Sequence, residues 1–145
     1  MIQTIKEIYL KNYDSLISEI QQYKNEEDIW KLADGISNSA GNLILHLNGN
    51  LNLFIGTVLG NTGYIRDRDR EFSDKNVRKE KLLSDSLATK QMIEQVLSLI
   101  PETDAEKNYP SDKFADKSTA FALMYFLAHF NYHLGQINYH RRLVK

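Results

Sequence analysis

STAFALMYFLAHFNYHLGQINYHRRL, residues 118–143, contains the longest apolar run of the chain and three histidines, of which His129 and His133 are four positions apart. Residues 120–128 carry no charged side chain, and no acidic residue follows Asp116. A helix this apolar in a small domain is expected to be buried on most sides, as the central element of a bundle, as half of a homodimer interface, or both. The four-residue spacing projects both imidazoles from one helix face about one turn apart. Gln136 lies one turn past His133, and Gly135 beside it leaves room for another backbone. His140 stands seven residues beyond His133, about 10 Å further along the axis, too far to share a ligand with the pair.

Upstream, Asp34-Gly35 marks a turn. Ser37 or Ser39 is expected to cap a second helix running through Leu43, Leu47, Leu51, Phe54 and Val58 and stopped by Gly60 and Gly63. His46 sits in its middle among Leu43, Leu45 and Leu47, and Asn50 shares its face one turn on. Gly49 and Gly56 each cost about 1 kcal/mol relative to Ala inside a helix, so they are expected where a neighbouring helix packs closely.

The first helix is the most regular: Ile2, Ile5, Tyr9, Tyr13, Leu16, Ile20 and Tyr23 form one stripe. Residues 24–28 end it, and Ile29, Trp30 and Leu32 are expected to cover one end of the bundle. Leu87, Met92, Ile93, Val96, Leu97 and Ile100 mark a third long helix, with Ser84 or Ser86 as cap and Pro101 beyond its end. Residues 64–81 and 102–116 read as polar connections. The alternating run Arg66-Asp67-Arg68-Asp69-Arg70-Glu71 is expected to be a solvated surface segment rather than a grip on an anionic ligand. No internal repeat and no sustained strand-like alternation occurs, so residues 1–145 are expected to form one all-α domain.

Composition narrows the possible functions. Eighteen Lys and Arg against 19 Asp and Glu leave a formal charge of -1, which provides no field for nucleic acid or an anionic membrane. Lys75, Arg78, Lys79 and Lys81 cluster, but neighbouring acids cancel most of their charge, so no nucleic-acid partner is expected. The absence of cysteine removes disulfides, thiolate nucleophiles and cysteine-based zinc sites, leaving His, Asp and Glu as strong metal ligands. Residues 1–13 mix Lys6, Glu7 and Lys11 into their apolar positions, so neither a signal peptide nor a membrane span is expected there, and the location is expected to be cytoplasmic.

His129 and His133 can both reach one divalent ion at about 2.0 to 2.1 Å if another segment supplies a third ligand, and His46 is the remaining imidazole available for it. Spacing alone is equally compatible with hydrogen-bonded core histidines. The pair lacks the glutamate of H-E-x-x-H, having Phe130, Asn131 and Tyr132 between, which argues against a zincin protease.

Taken together, His46 within Leu43-Ile44-Leu45-His46-Leu47, the run His129-Phe-Asn-Tyr-His133-Leu-Gly135-Gln136-Ile137, and the stretch from Arg66 to Phe72 resemble the DinB-like superfamily, which includes the YfiT-like proteins and the bacillithiol transferases. The resemblance covers essentially the whole chain. It implies a four-helix bundle of up-down-down-up topology and one divalent metal ion, often zinc or nickel, held by His46, His129 and His133. It also implies homodimers. Gln136 and Asn50 are then expected to support the ion or a group bound to it.

No Asp or Glu occurs between Asp34 and Asp67 or after Asp116, so neither histidine-bearing helix supplies a carboxylate base. Asp14 or Glu19 of the first helix is the remaining source. A thiol needs no such base once a metal has taken its proton. The expected function is therefore that of a metal-dependent enzyme activating a low-molecular-weight thiol for transfer to, or isomerisation of, a small-molecule substrate. Arg66, Arg68 or Arg70 would bind a carboxylate on that thiol only if the charged connection folds over the bundle mouth. The alternatives are a metal-dependent hydrolase and a non-catalytic metal-binding or oligomerising bundle.

Overall fold

The computed structural model describes residues 1–144, which contain no β-strand. Its helices are α1 (Ile2–Gln22), α2 (Ala40–Gly60), the short α3 (Arg68–Ser73), α4 (Lys79–Ser98) and α5 (Thr119–Leu143).

The stripe read from the first helix is the buried face of α1: Ile2, Ile5, Tyr9, Tyr13, Leu16 and Ile20 are all inside the core. Its first turn has no side-chain cap of its own. Glu102 supplies the acceptors instead, taking the N–H groups of Ile2 and Gln3 at 2.9 Å each and the terminal amine at 2.5 Å. These bonds satisfy donors that a helix start leaves unpaired. They also hold the Glu102 carboxyl down at about 2. The 102–116 connection contributes more than polarity, because Ala105 and Tyr109 are buried.

Helix α2 starts at Ser39, whose hydroxyl accepts the N–H of Asn42 at 3.1 Å. Residues Asn52–Thr57 form a π-helical turn within it. Such a turn leaves carbonyls free for other donors, and the Tyr109 hydroxyl donates to the carbonyl of Phe54 at 2.6 Å. By length and hydropathy Ala40–Gly60 could cross a membrane, but 56% of that window is buried inside the protein. It also carries buried Asn42, His46, Asn48 and Asn50, as befits a core helix of this bundle.

Three local expectations are corrected. Helix α4 begins at Lys79, well before Ser84 and Ser86, because Leu82 already belongs to the core and Glu26 accepts the N–H of Lys79 in place of a local cap. Ser86 is instead a buried interior residue taking a hydrogen bond from Asn48 at 3.2 Å, while Leu87 is exposed. Leu32 is also exposed: the backbone leaves the turn Glu26–Trp30 extended at Lys31, so only Ile29 and Trp30 cover that end.

Helices α1 and α2 each pack against both α4 and α5. Side-chain pairs fix the directions. Gln3 bonds to the Leu97 carbonyl while Lys79 reaches the carbonyls of Gln21 and Tyr23, so α1 and α4 run oppositely. Tyr9 meets Leu123 and Glu19 meets Arg141, so α1 and α5 run the same way. On α2, Asn48 meets Ser86 and Asn52 meets Thr89, a pairing parallel to α4. His46 lies against His129 and Phe54 against Phe126, a pairing antiparallel to α5.

The inner face of α5 buries Ala120, Ala122, Leu123, Phe126, Leu127, Phe130 and Ile137. Its outer face leaves Phe121, Met124, Tyr125, Tyr132 and Tyr139 about half or more exposed, so within one chain the helix is not covered on most sides.

Candidate metal centre

The antiparallel contact between α2 and α5 brings His46, His129 and His133 together. The Nε2 atom of His129 lies 3.2 Å from Nε2 of His46 and 3.1 Å from Nε2 of His133. One ring nitrogen from each of the three falls within 4.8 Å of the others. Nitrogens bound to one ion at about 2.0 to 2.1 Å stand about 2.8 to 3.4 Å apart for octahedral to tetrahedral angles, so the observed spacing fits a shared ion.

The remaining ring nitrogens decide which atoms carry lone pairs. Nδ1 of His46 is 3.0 Å from Oε1 of Glu71, and a carboxylate can only accept, so that nitrogen donates its N–H and Nε2 is left bare. Nδ1 of His133 donates in the same way to Oε1 of Gln136 at 2.7 Å. Two bare nitrogens therefore face Nε2 of His129, which carries at most one proton and cannot satisfy both. Nδ1 of His129 is buried without a partner. A cation accepting all three Nε2 lone pairs resolves the first conflict, and this donor set can hold a metal ion.

Burial and nearby charge keep His129 and His133 neutral. Burial, the neighbouring His133 and His46, and the charges of Arg66 and Lys113 push the His129 imidazole down to about 4. Burial also lowers His133, against the opposing bond from Gln136. Neutral imidazole is the form that ligates a metal.

Glu71 enters from the charged connection, where Asp67, Arg68, Asp69 and Arg70 are exposed as expected but Arg66 and Glu71 turn inward. The connection folds into α3, and the Glu71 side chain is 6% exposed while that of Arg66 is 10% exposed. Arg66 grips the carboxylate twice, Nε to Oε2 and Nη2 to Oε1, at 2.8 Å each. Burial raises the Glu71 carboxyl, but these bonds and the one from His46 outweigh it and hold it below the usual range. Gly49 makes the approach possible, since a Cβ there would fall on the Glu71 carboxylate. The amide of Asn42 donates to the carbonyls of Glu71 and Asp74 at 2.9 and 2.8 Å and pins α3 to α2. Phe72 lies against the His46 ring, with centroids 4.9 Å apart.

Other sequence candidates lie elsewhere. His140 is buried between the Tyr23 hydroxyl at 2.7 Å and the Lys31 carbonyl at 2.8 Å. Asp14 pairs with Lys90, and Glu19 with Asn138 and Arg141. Asn50 is buried with its Oδ1 unpartnered and makes no hydrogen bond to the three histidines. Sequence reasoning missed Glu71 as a site residue. The available signals were a glycine three positions after His46 and a lone aromatic, Phe72, inside a charged run.

Fold and centre together define an all-helical domain built on four long helices, with a three-histidine group inside it that can take a metal. The chain belongs to the family described as "Protein of unknown function (DUF1572)", whose model matches residues 2–145. No curated protein and no solved structure matches it.

Proposed function

We propose that this protein is a metal-dependent enzyme of the DinB-like kind, in which His46, His129 and His133 hold one divalent ion, zinc or nickel, and the ion activates a small-molecule thiol for transfer or isomerisation. The observation that carries the reading is the convergence of three Nε2 atoms from two helices, with Nδ1 of His46 and of His133 each already committed to an acceptor. The helix directions described above support an up-down-down-up bundle. Gln136 steadies His133, and Asn50 is placed one turn from His46.

A divalent ion on three neutral imidazoles keeps open positions, where it would take a thiol as its thiolate without help from a protein base. The carboxylates support this choice over hydrolysis. Glu71, the one carboxylate hydrogen-bonded to any of the three histidines among the described residues, has both oxygens tied to Arg66 and one also to His46. It is an orienting group for His46 and is not free to activate water. The proposal includes a cytoplasmic location and a homodimer, the latter supported by the exposed aromatic face of α5.

The test is conjugation of thiols to a small electrophile by the metal-loaded protein. Turnover that requires both metal and thiol is expected. Turnover of esters or amides without thiol would favour a hydrolase, and metal binding without turnover of either kind would favour a non-catalytic bundle.

A further inference from the structure

The cations near the centre differ in what they are free to do. Arg66 is spent on Glu71, and Arg70 pairs with Asp74. Arg68 makes no ion pair among the described residues, and it lies over Phe72 rather than over the Phe54 ring that Arg66 approaches. Lys113, in the turn Asp112–Phe114, makes no ion pair and no side-chain hydrogen bond among the described residues. Its ammonium is nevertheless held in place, 5.3 Å from the centroid of Phe54 and 5.6 Å from that of Phe114.

Those two rings pack on Phe126, which precedes His129 by one helical turn. Phe126 stacks on Phe54 at 4.5 Å with the planes 12° apart and lies 5.7 Å from Phe114. The stack covers one face of Phe54 and leaves the other to cations. The Arg66 guanidinium also stands over Phe54, at 6.0 Å, and its Nη2 is 3.3 Å from Nδ1 of His46. Lys113 thus approaches the same ring as the guanidinium that touches His46, and it stands within electrostatic reach of His129. The charges already inside the centre do not attract it, because the Glu71 carboxylate is balanced by Arg66.

From this arrangement we propose that Lys113 recognises an acidic group on the substrate, so that the thiol bound at the centre is one carrying a carboxylate or a similar anion. The inference rests on the thiol reading above and assigns to Lys113 the part that sequence reasoning gave to Arg66, Arg68 or Arg70. An aromatic clamp suits the purpose. It fixes the long lysine stem beforehand and reduces the entropy lost when the anion docks.

The test uses the full chain loaded with cobalt(II), whose thiolate charge-transfer absorption reports a bound sulfur directly. The probes are 3-mercaptopropionate, neutral 2-mercaptoethanol and cationic cysteamine. 3-Mercaptopropionate is expected to bind tightest and cysteamine weakest. In Lys113→Met the preference for the acid over the neutral thiol should fall about fivefold, the scale of one partly exposed ion pair, while Lys113→Arg keeps it. Cobalt content and the 2-mercaptoethanol spectrum should be unchanged in both variants. A charge-transfer band in which the acid has no advantage, or an advantage that Lys113→Met leaves intact, overturns the assignment of Lys113 but not the thiol reading. Cobalt uptake with no such band from any of the three thiols overturns the thiol reading and this inference with it.

Discussion

At the level of single side chains, the centre depends on Glu71 as well as on His46, the histidine it supports. A carboxylate that receives the Nδ1–H of His46 holds the ring in one tautomer and orientation, and loss of such a partner commonly weakens metal binding about 10- to 100-fold. Glu71→Leu is therefore expected to lower zinc affinity by that factor in a competition titration. Glu71→Gln, whose amide oxygen still accepts, should lose less. Equal affinities in all three proteins would show that the carboxylate plays no part. His129 and His133 were legible as a pair, since four-residue separation on a helix is a local rule, and His46 followed only as the remaining imidazole able to join them. Glu71 was not legible, because its approach depends on a slot at Gly49 and on the Asn42 bonds to α3, both of which are tertiary.

Among the helices, α3 is the element that turns an ordinary bundle surface into a site. It has only six residues, too few to be stable alone, and its Asp67 cap and the Asn42 amide bracket its two ends. Asn42→Leu should release it. Faster amide hydrogen exchange is expected across residues 66–74, together with weaker metal binding, while α1 and α5 keep their protection. Unchanged exchange in that stretch would show that α3 is held by something other than Asn42. The long helices were readable from hydrophobic periodicity, and α1 was read residue for residue. The start of α4 was misread because its first N–H is met by Glu26 from another segment, a partner that no local cap signal announces. The π turn of α2 was equally invisible, since its counterpart, Tyr109, lies 55 positions away.

For the whole molecule, folding and protonation are linked through the buried imidazoles. Burial lowers His129, His133 and His140, His129 to about 4, whereas an unfolded histidine titrates near about 6.5. Between those values the unfolded chain binds more protons than the folded one. The metal-free protein should therefore hold its stability above about pH 6.5 and lose it progressively as pH falls toward about 4, as followed by urea denaturation across that range. A flat profile would mean that these rings are not buried neutral. The same neutrality leaves the lone pairs of His129 and His133 available at neutral pH, and the functional account turns on their joining that of His46 at one ion. Elemental analysis of protein prepared without a histidine tag, beside a His129→Ala/His133→Ala double variant of unchanged helical content, tests it most directly. The account predicts one divalent transition-metal ion per chain in the wild type and none in the variant. Equal, negligible metal in both, even after incubation with zinc and nickel, would contradict it.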